Sequence, residues 1–341
     1  MTLDLAAALS LLTDLPRLGL TERMRANDPE LQERAERMRI AAQQTLAGAA
    51  TRGIRFVPWN STDFPPQLLE LPDMPPGLWY RGSLLALRAP YVVSVVGSRS
   101  GSTVALEAAS QLSRGLAARG VVVVSGLARG VDSAAHHGAL TAGGLTVAVL
   151  GSGLARIYPP EHQPLADEIA ATGVVVSELP PDAPPLPFHF PLRNRIISGL
   201  SRAVVVIEAS EKSGSLITAS CALEQGREVM AVPGSVLSGR NKGGHALLRD
   251  GAALVETAED VLAALGWDTL HDDASGLSSH CSGDGSGSYL LARMHPGHPY
   301  DLDEIARETG LAAPALLAQL TALELAGRLR RVDGGRFVRA S

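Results

Sequence analysis

Aromatic side chains are scarce in this chain: phenylalanine, tryptophan and tyrosine make up 4% of its 341 residues. The hydrophobic fraction of 45% must therefore build a core mainly from aliphatic side chains and alanine. Lysine is scarcer still, present at Lys212 and Lys242, so arginine supplies every other side-chain cation. Cysteine occurs at Cys221 and Cys281, with no C-x-x-C pair. That excludes a disulfide framework and a paired-cysteine zinc site, and it fits a reducing compartment. No metal and no cofactor is expected. No uninterrupted apolar run approaches the ~18 residues of a membrane span. The opening MTLDLAAALSLLTDLPRLGL lacks a basic start and carries Asp4 and Asp14, unlike a secretory signal. A cytoplasmic protein without a membrane span is the expectation. A basic excess is missing too. With a formal net charge of −5, no bulk positive field draws nucleic acid, and any such binding must come from a local patch.

What is present is a repeating pattern. From Tyr91 onward short valine-rich runs recur: 92–97, 121–126, 146–151, 174–179, 203–209 and 228–234. Each has the length of a strand buried on both faces. Helical patterns separate them at 104–119, 131–142, 164–172, 194–201 and 216–226. This alternation predicts an α/β fold, an extended Rossmann-like doubly wound parallel sheet, whose ligands bind beyond the carboxyl ends of the strands. Residues 1–60 read as a small helical domain, with Asp28-Pro29-Glu30 opening a charged helix through Ala50. The proline-rich stretch that follows reads as a connection into a core domain over 61–270. Residues 271–287 are a Ser/Gly/Asp linker. Residues 288–341 read as three helices and a hairpin turning on Asp333-Gly334-Gly335, a C-terminal winged-helix domain.

Four constellations fall at strand ends. Gly97-Ser98-Arg99 opens a strand-to-helix turn that lacks the P-loop lysine. It offers glycine for close backbone approach, the free N–H groups of a helix N-terminus and a positive fork. Ser125-Gly126 ends the second run, with Asp132 placed to cap the next helix and His136 and His137 inside it. Gly151-Ser152-Gly153 ends the third, where a lone G-x-G is a weak signal that packing alone could explain. The richest stretch holds Arg193, Asn194 and Arg195 at a helix start, then Lys212-Ser213-Gly214-Ser215 at another turn, with Thr218 and Lys242 beyond. Over 193–242 seven cations oppose four acids, a +3 zone on an acidic protein, which is the footprint of a backbone-binding groove. Phe190, in a Phe-His-Phe run beside these residues, is either a base-stacking platform or core. No nucleophile and base pair is spaced for catalysis, so no enzyme is expected.

Taken together, VVGSRSGS, VVSGLARGVDSAAHHGAL, VAVLGSGLARIYPPEH, SELPP, FPLRNRIISGLS, VVVIEASEKSGSLITASCALEQGREVMAVPGS and LLRDGA run in order over residues 60 to 255. In these motifs the chain resembles the DprA/Smf family, the DNA-processing proteins of natural transformation. The helical N-terminus resembles that family's sterile-alpha-motif-like domain, and the tail its winged helix. The resemblance implies a homodimer that binds and protects single-stranded DNA and helps load the RecA recombinase. It also implies a phosphate pocket on Gly97, Ser98, Arg99, Arg193, Asn194, Arg195, Lys212, Ser213, Gly214 and Ser215. One departure stands out: Gly243-Gly244-His245 precedes LLRDGA where the family has G-x-N, and Asn241 is the nearest substitute.

Rival readings are a nucleotide-binding Rossmann-like enzyme of the phosphoribohydrolase kind, and a nucleotide sensor. Glu178 and Glu208 are the carboxylates near enough to serve the former. Self-association is expected through the last part of the core, where helix 259–266 offers an apolar face. The tail, with seven arginines against six acids, is too weakly basic to be assigned a duplex-reading role.

Overall fold

The computed structural model describes residues 2–12, 19–267, 299–301, 320, 329–332 and 336–339. The chain forms two compact units, Met1–His271 and Asp272–Ser341.

Valine dominates the strands of the first unit because β-branched side chains suit a pleated surface buried on both faces. The six expected strands form: β3 (Val92–Gly97), β4 (Val122–Ser125), β5 (Thr146–Val149), β6 (Val174–Ser177), β7 (Ala203–Ile207) and β8 (Glu228–Ala231). Before them come β1 (Arg55–Pro58) and β2 (Gly77–Gly82), and after them β9 (Ala253–Leu254). The sheet order is β1-β2-β6-β5-β4-β3-β7-β8-β9. Strands β3 to β9 run parallel, whereas β1 and β2 add antiparallel at the β6 edge. The sequence pattern marks neither: β1 lies within the stretch expected to be helical, and β2 in the connection that follows it. GLWYRG has no clear alternation, and Leu78, Trp79 and Tyr80 are all buried, so neither a period of 2 nor a long apolar run marks it.

Alternate strand residues feed two cores. Val93, Val95, Val123, Ala203 and Val205 meet helices α5 (Thr103–Ala118), α6 (Val131–Thr141) and α11 (Ala258–Ala264). Val92, Val96, Val122, Val204 and Val206 share the other core with α7 (Gln163–Thr172), α8 (His189–Leu200) and α9 (Gly214–Glu224). The N-terminal helices α1 (Leu3–Leu11), α2 (Leu20–Arg25), α3 (Pro29–Arg37) and α4 (Arg39–Ala50) join this second core through Leu9, Met24, Leu31 and Ala42. Trp79 Nε1 donates to Ser10 Oγ at 3.2 Å, and Thr21 Oγ1 donates to Leu71 O at 2.9 Å. Helices α1 to α4 are thus packed into the sheet unit, and Arg55–Pro58 belongs to the sheet itself. Asp28 caps α3 by accepting from Leu31 N, with Pro29 in the first turn, but the helix read through Ala50 breaks at Met38.

The apolar face of α11 is not available to a second copy. Val261 and Leu262 are buried against the α5 side of the sheet within the same chain. Between β8 and β9 lies α10 (Lys242–Arg249). Among the described residues, no helix is long and apolar enough to cross a membrane.

In the second unit the expected hairpin is formed by β11 (Leu329–Val332) and β12 (Arg336–Arg339), paired antiparallel with Val332 opposite Arg336. Strand β10 (Pro299–Tyr300) pairs with β12 on its other side. The linker at 271–287 and the helices read within 288–341 fall almost entirely outside the described residues.

Candidate nucleic-acid interface

Strand β3 is followed in the sheet by β4, β5 and β6 on one side and by β7, β8 and β9 on the other. The chain reverses its winding between β3 and β7, and at such a switch point the strand-to-helix turns diverge and leave a crevice. A cleft of about 350 Å³ lies there. Its lining includes Gly97, Ser98 and Arg99 after β3, Ser213, Gly214 and Ser215 after β7, Thr218 from α9, and Phe190, Arg193 and Asn194 from α8. Asp132, Val96 and Ile197 are among the other residues that line it.

The first turn is shaped by close approach. A Cβ on Gly97 would stand 2.0 Å from Ile207 O and 2.8 Å from a Val131 methyl, so only glycine fits. Ser102 caps α5, its Oγ accepting from Ala105 N. The second turn is capped by Ser213, whose Oγ accepts from Ser215 N. Open space surrounds the place a Gly214 side chain would occupy. The leading N–H groups of α9 have no partner within the helix and carry its positive dipole end, which makes the turn an anion site in principle.

Helix α8 starts at His189, five residues before the expected start, because Pro191 in its first turn forfeits no intrahelical bond. The R-N-R run is therefore helical throughout, and residues two apart on a helix face about 200° apart. Arg193 points to the cleft side. Its Nη1 donates to Gly126 O at 2.9 Å and to Val149 O, while its buried Nε has no partner. Burial lowers its pKa to about 10, against the pull of Asp132. Arg195 points the other way. Its Nε donates to the half-buried Asp73 Oδ2 at 2.6 Å and its Nη2 to the buried Glu178 Oε2 at 2.8 Å. Arg195, expected to grip a phosphate beside Arg99, is not brought to the cleft with it: its guanidinium is paired with two carboxylates outside the cleft lining. Asn194 Nδ2 donates to Gly214 O at 3.2 Å and so ties α8 to the start of α9.

Other expected residues sit beside the cleft. Ser125 is fully buried and its Oγ donates to Val95 O at 2.7 Å, a bond between strands. Gly126 packs under Arg193, and its N–H goes to Asp132 Oδ2 at 3.0 Å. Lys212 is exposed just before Ser213, and Lys242 is exposed at the start of α10. Asn241 does not stand in for a ligand-facing asparagine. Its Oδ1 accepts from Ala209 N and its Nδ2 donates to Val232 O, both inside the protein.

Asp132 was read as a helix cap, but it accepts from Gly126 N and Ala128 N, in the loop before α6, and reaches the cleft floor. Burial raises its pKa, opposed first by Arg193. The buried guanidinium and carboxylate balance each other, which leaves Arg99 as the cation at the rim with no ion pair among the described residues. Arg99 lies over the Phe190 ring at 5.3 Å, and Tyr158 meets the same ring at 5.6 Å. Gly151 makes room for this stack: a Cβ there would stand 2.8 Å from Phe190. His136 is buried, with Nδ1 at 2.7 Å from Thr146 Oγ1 and Nε2 unpartnered. Burial holds its pKa down at about 3, so it is neutral and structural. Among the described residues no group of three His, Cys, Asp or Glu side chains is arranged to hold a metal.

The family model described as DNA recombination-mediator protein A matches residues 55–266, and the DprA winged helix domain matches residues 286–335. The chain is 43% identical to Protein Smf of Escherichia coli (strain K12) over 287 residues, 82% of this chain and 76% of the relative. It is 48% identical to the DNA processing protein DprA of Streptococcus pneumoniae over 200 residues, 59% of this chain and 70% of the relative. Among solved structures, DprA from Streptococcus pneumoniae superposes with a TM-score of 0.64 at 40% identity, covering 73% of this chain and 87% of that one. DNA processing protein A from Helicobacter pylori, known for its single-stranded DNA binding mode, superposes at 0.57 with 29% identity, covering 62% of this chain and 96% of that one. With a Rossmann-like core bearing the switch-point cleft and a winged-helix domain C-terminal to it in sequence, the chain belongs to the DprA/Smf family of DNA processing proteins.

Proposed function

We propose that the switch-point cleft binds the backbone of single-stranded DNA without reading its sequence. The observation that carries this reading is the pairing of two glycine-containing turns, Gly97–Arg99 and Ser213–Ser215, at one opening whose rim cation is Arg99. Such a site offers backbone donors and a positive fork to phosphate, and an aromatic face on Phe190 to a base. The binding mode known for the Helicobacter pylori relative supports the same ligand class. Lys212 and Lys242, exposed near these turns, extend the positive rim. The bound strand is protected and handed to the RecA recombinase, a role in keeping with the recombination-mediator family, and the working protein is a cytoplasmic homodimer. It binds without turning over its ligand. Of the two carboxylates an enzyme would use, Glu178 is paired with Arg195 and Glu208 is held by Ser102.

The test is oligo-dT affinity at several salt concentrations for Arg99→Ala, with Arg37→Ala as a distant control. A charge-assisted phosphate contact contributes about 1.5–3 kcal/mol, so Arg99→Ala should weaken binding roughly ten- to a hundredfold. The slope of log K against log salt should fall by about 0.7, the single-strand value for one phosphate. An Arg99→Ala variant that tracks the control overturns the reading. Nucleoside monophosphates that compete with oligo-dT, or are consumed, would favour the nucleotide enzyme or sensor instead.

A further inference from the structure

Glu208 ends β7 in a left-handed backbone conformation, φ 50°, which residues other than glycine rarely adopt. The turn aims its half-buried carboxylate at the loop that carries Arg99. Oε1 accepts from Ser102 N at 2.9 Å, and Oε2 accepts from Ser102 Oγ. Ser102 is the residue that caps α5, so this carboxylate holds the far end of the 97–102 loop. A second tie comes from Arg240, whose Nη1 donates to Ser100 O at 3.0 Å and lies 4.0 Å from Glu208 Oε1. The near end of the loop is held by Ser98 N donating to Ile207 O at 3.3 Å. Arg99 thus projects from a loop pinned at both ends to the strand across the switch point. Val131 N also donates to Ser98 O at 3.1 Å, but that bond restrains only the near end. Without the ties at Ser100 and Ser102 the rest of the loop is looser, and ordering it costs binding energy at each encounter.

We infer that Glu208 is a positioning residue for the anion site: its carboxylate fixes the 97–102 loop and so presents Arg99 to phosphate. The inference rests on the reading of the cleft as a phosphate-backbone site. It makes an unusual claim about sign. Electrostatics alone says that deleting a carboxylate beside a polyanion site strengthens binding. Positioning says that deleting it weakens binding.

Full-length Glu208→Ala, Glu208→Gln and Arg99→Ala, and the double variant Arg99→Ala with Glu208→Ala, are compared for oligo-dT affinity and thermal midpoint. Losing hydrogen bonds to a charged anchor should make Glu208→Ala bind about tenfold more weakly. Glu208→Gln keeps an acceptor for Ser102 N and should recover most of the affinity. In the Arg99→Ala background the Glu208→Ala effect should shrink to about twofold or less, because the two act as one unit. Tighter or unchanged binding by Glu208→Ala overturns the inference, as does an equal loss with and without Arg99. Should Glu208→Ala fail to fold, Ser102→Ala removes one of the two hydrogen bonds between Ser102 and Glu208 and is read by the same criteria. If Arg99→Ala itself binds as the parent does, the site reading fails. If only Glu208→Ala does so, the positioning inference fails alone.

Discussion

Two arginines two residues apart on α8 live in opposite surroundings. Arg193 lies on the side of the cleft, bonded to the carbonyls at the ends of β4 and β5 and balanced by a single buried carboxylate. Arg195 lies on the far side, clamped between Asp73 and Glu178. Both are buried, both belong to one sequence motif, and helical geometry alone separates them. Neither is a rim cation. Arg193 shapes the floor, Arg195 locks α8 to the 72–76 stretch and the end of β6, and the exposed charge falls to Arg99. A basic motif is thus a poor guide to where charge is presented until the local helix phase is known.

The comparison breaks most visibly at Arg195. Removing one partner of a buried ion pair typically costs about 3–5 kcal/mol, so Arg195→Ala should lower the denaturant midpoint severely. Its folded fraction should bind oligo-dT with an unchanged salt slope. A stable Arg195→Ala protein whose slope falls by about 0.7 would place a phosphate on this residue after all.

A buried histidine outside the cleft lining gives a signature in pH. His136 has a folded pKa held down at about 3 against an ordinary value of 6.5. Above 6.5 it is neutral in both states and changes nothing. Below 6.5 the unfolded chain takes up a proton that the folded one refuses, so stability falls by about 1.4 kcal/mol per pH unit until about pH 3. Asp132, with its pKa raised by burial, acts with the opposite sign, because the folded state takes up its proton first as pH drops. His136→Asn should flatten the acid limb in urea titrations between pH 7 and 4. A limb as steep as the parent's would remove His136 from the explanation.

The smallest effect on the fold belongs to Gly214. Nothing stands within 4 Å of a Cβ there and its φ is not left-handed, so Gly214→Ala should leave stability within about 1 kcal/mol, through backbone entropy. A ligand phosphate seated against the N-terminus of α9 would meet that methyl. Severalfold weaker oligo-dT binding with an unchanged melting temperature would sharpen the site, and unchanged binding would move the phosphate toward Arg99.

The six central strands and the intervening helices were legible because runs of valine between turn residues leave little alternative. The turns at Gly97 and Ser213 were legible for the same reason: strand ends are where such folds present backbone donors. What escaped depended on tertiary partners. Strand β2 is short and aromatic, and its pairing with β1 and β6 makes it a strand. The start of α8 at His189 hid behind Pro191. Asp132 lay in view as a helix cap, while its reach to Gly126 N depends on the path of the loop before it. Glu208 gave no periodic signal, since its role rests on one left-handed residue.

The order of synthesis has a consequence for β2. Trp79 pairs with Ser177, roughly a hundred residues later in the chain, so the wide edge of the sheet cannot close until β6 has been made. At translation speeds of about 5–20 residues per second, the fully buried Leu78 and Trp79 wait about 5–20 s for their antiparallel neighbour β6. During that interval only β1 and the N-terminal helices can shield them. The antiparallel β1–β2 pair and α1, all made before residue 83, therefore act as a temporary cover for a hydrophobic edge on the nascent chain.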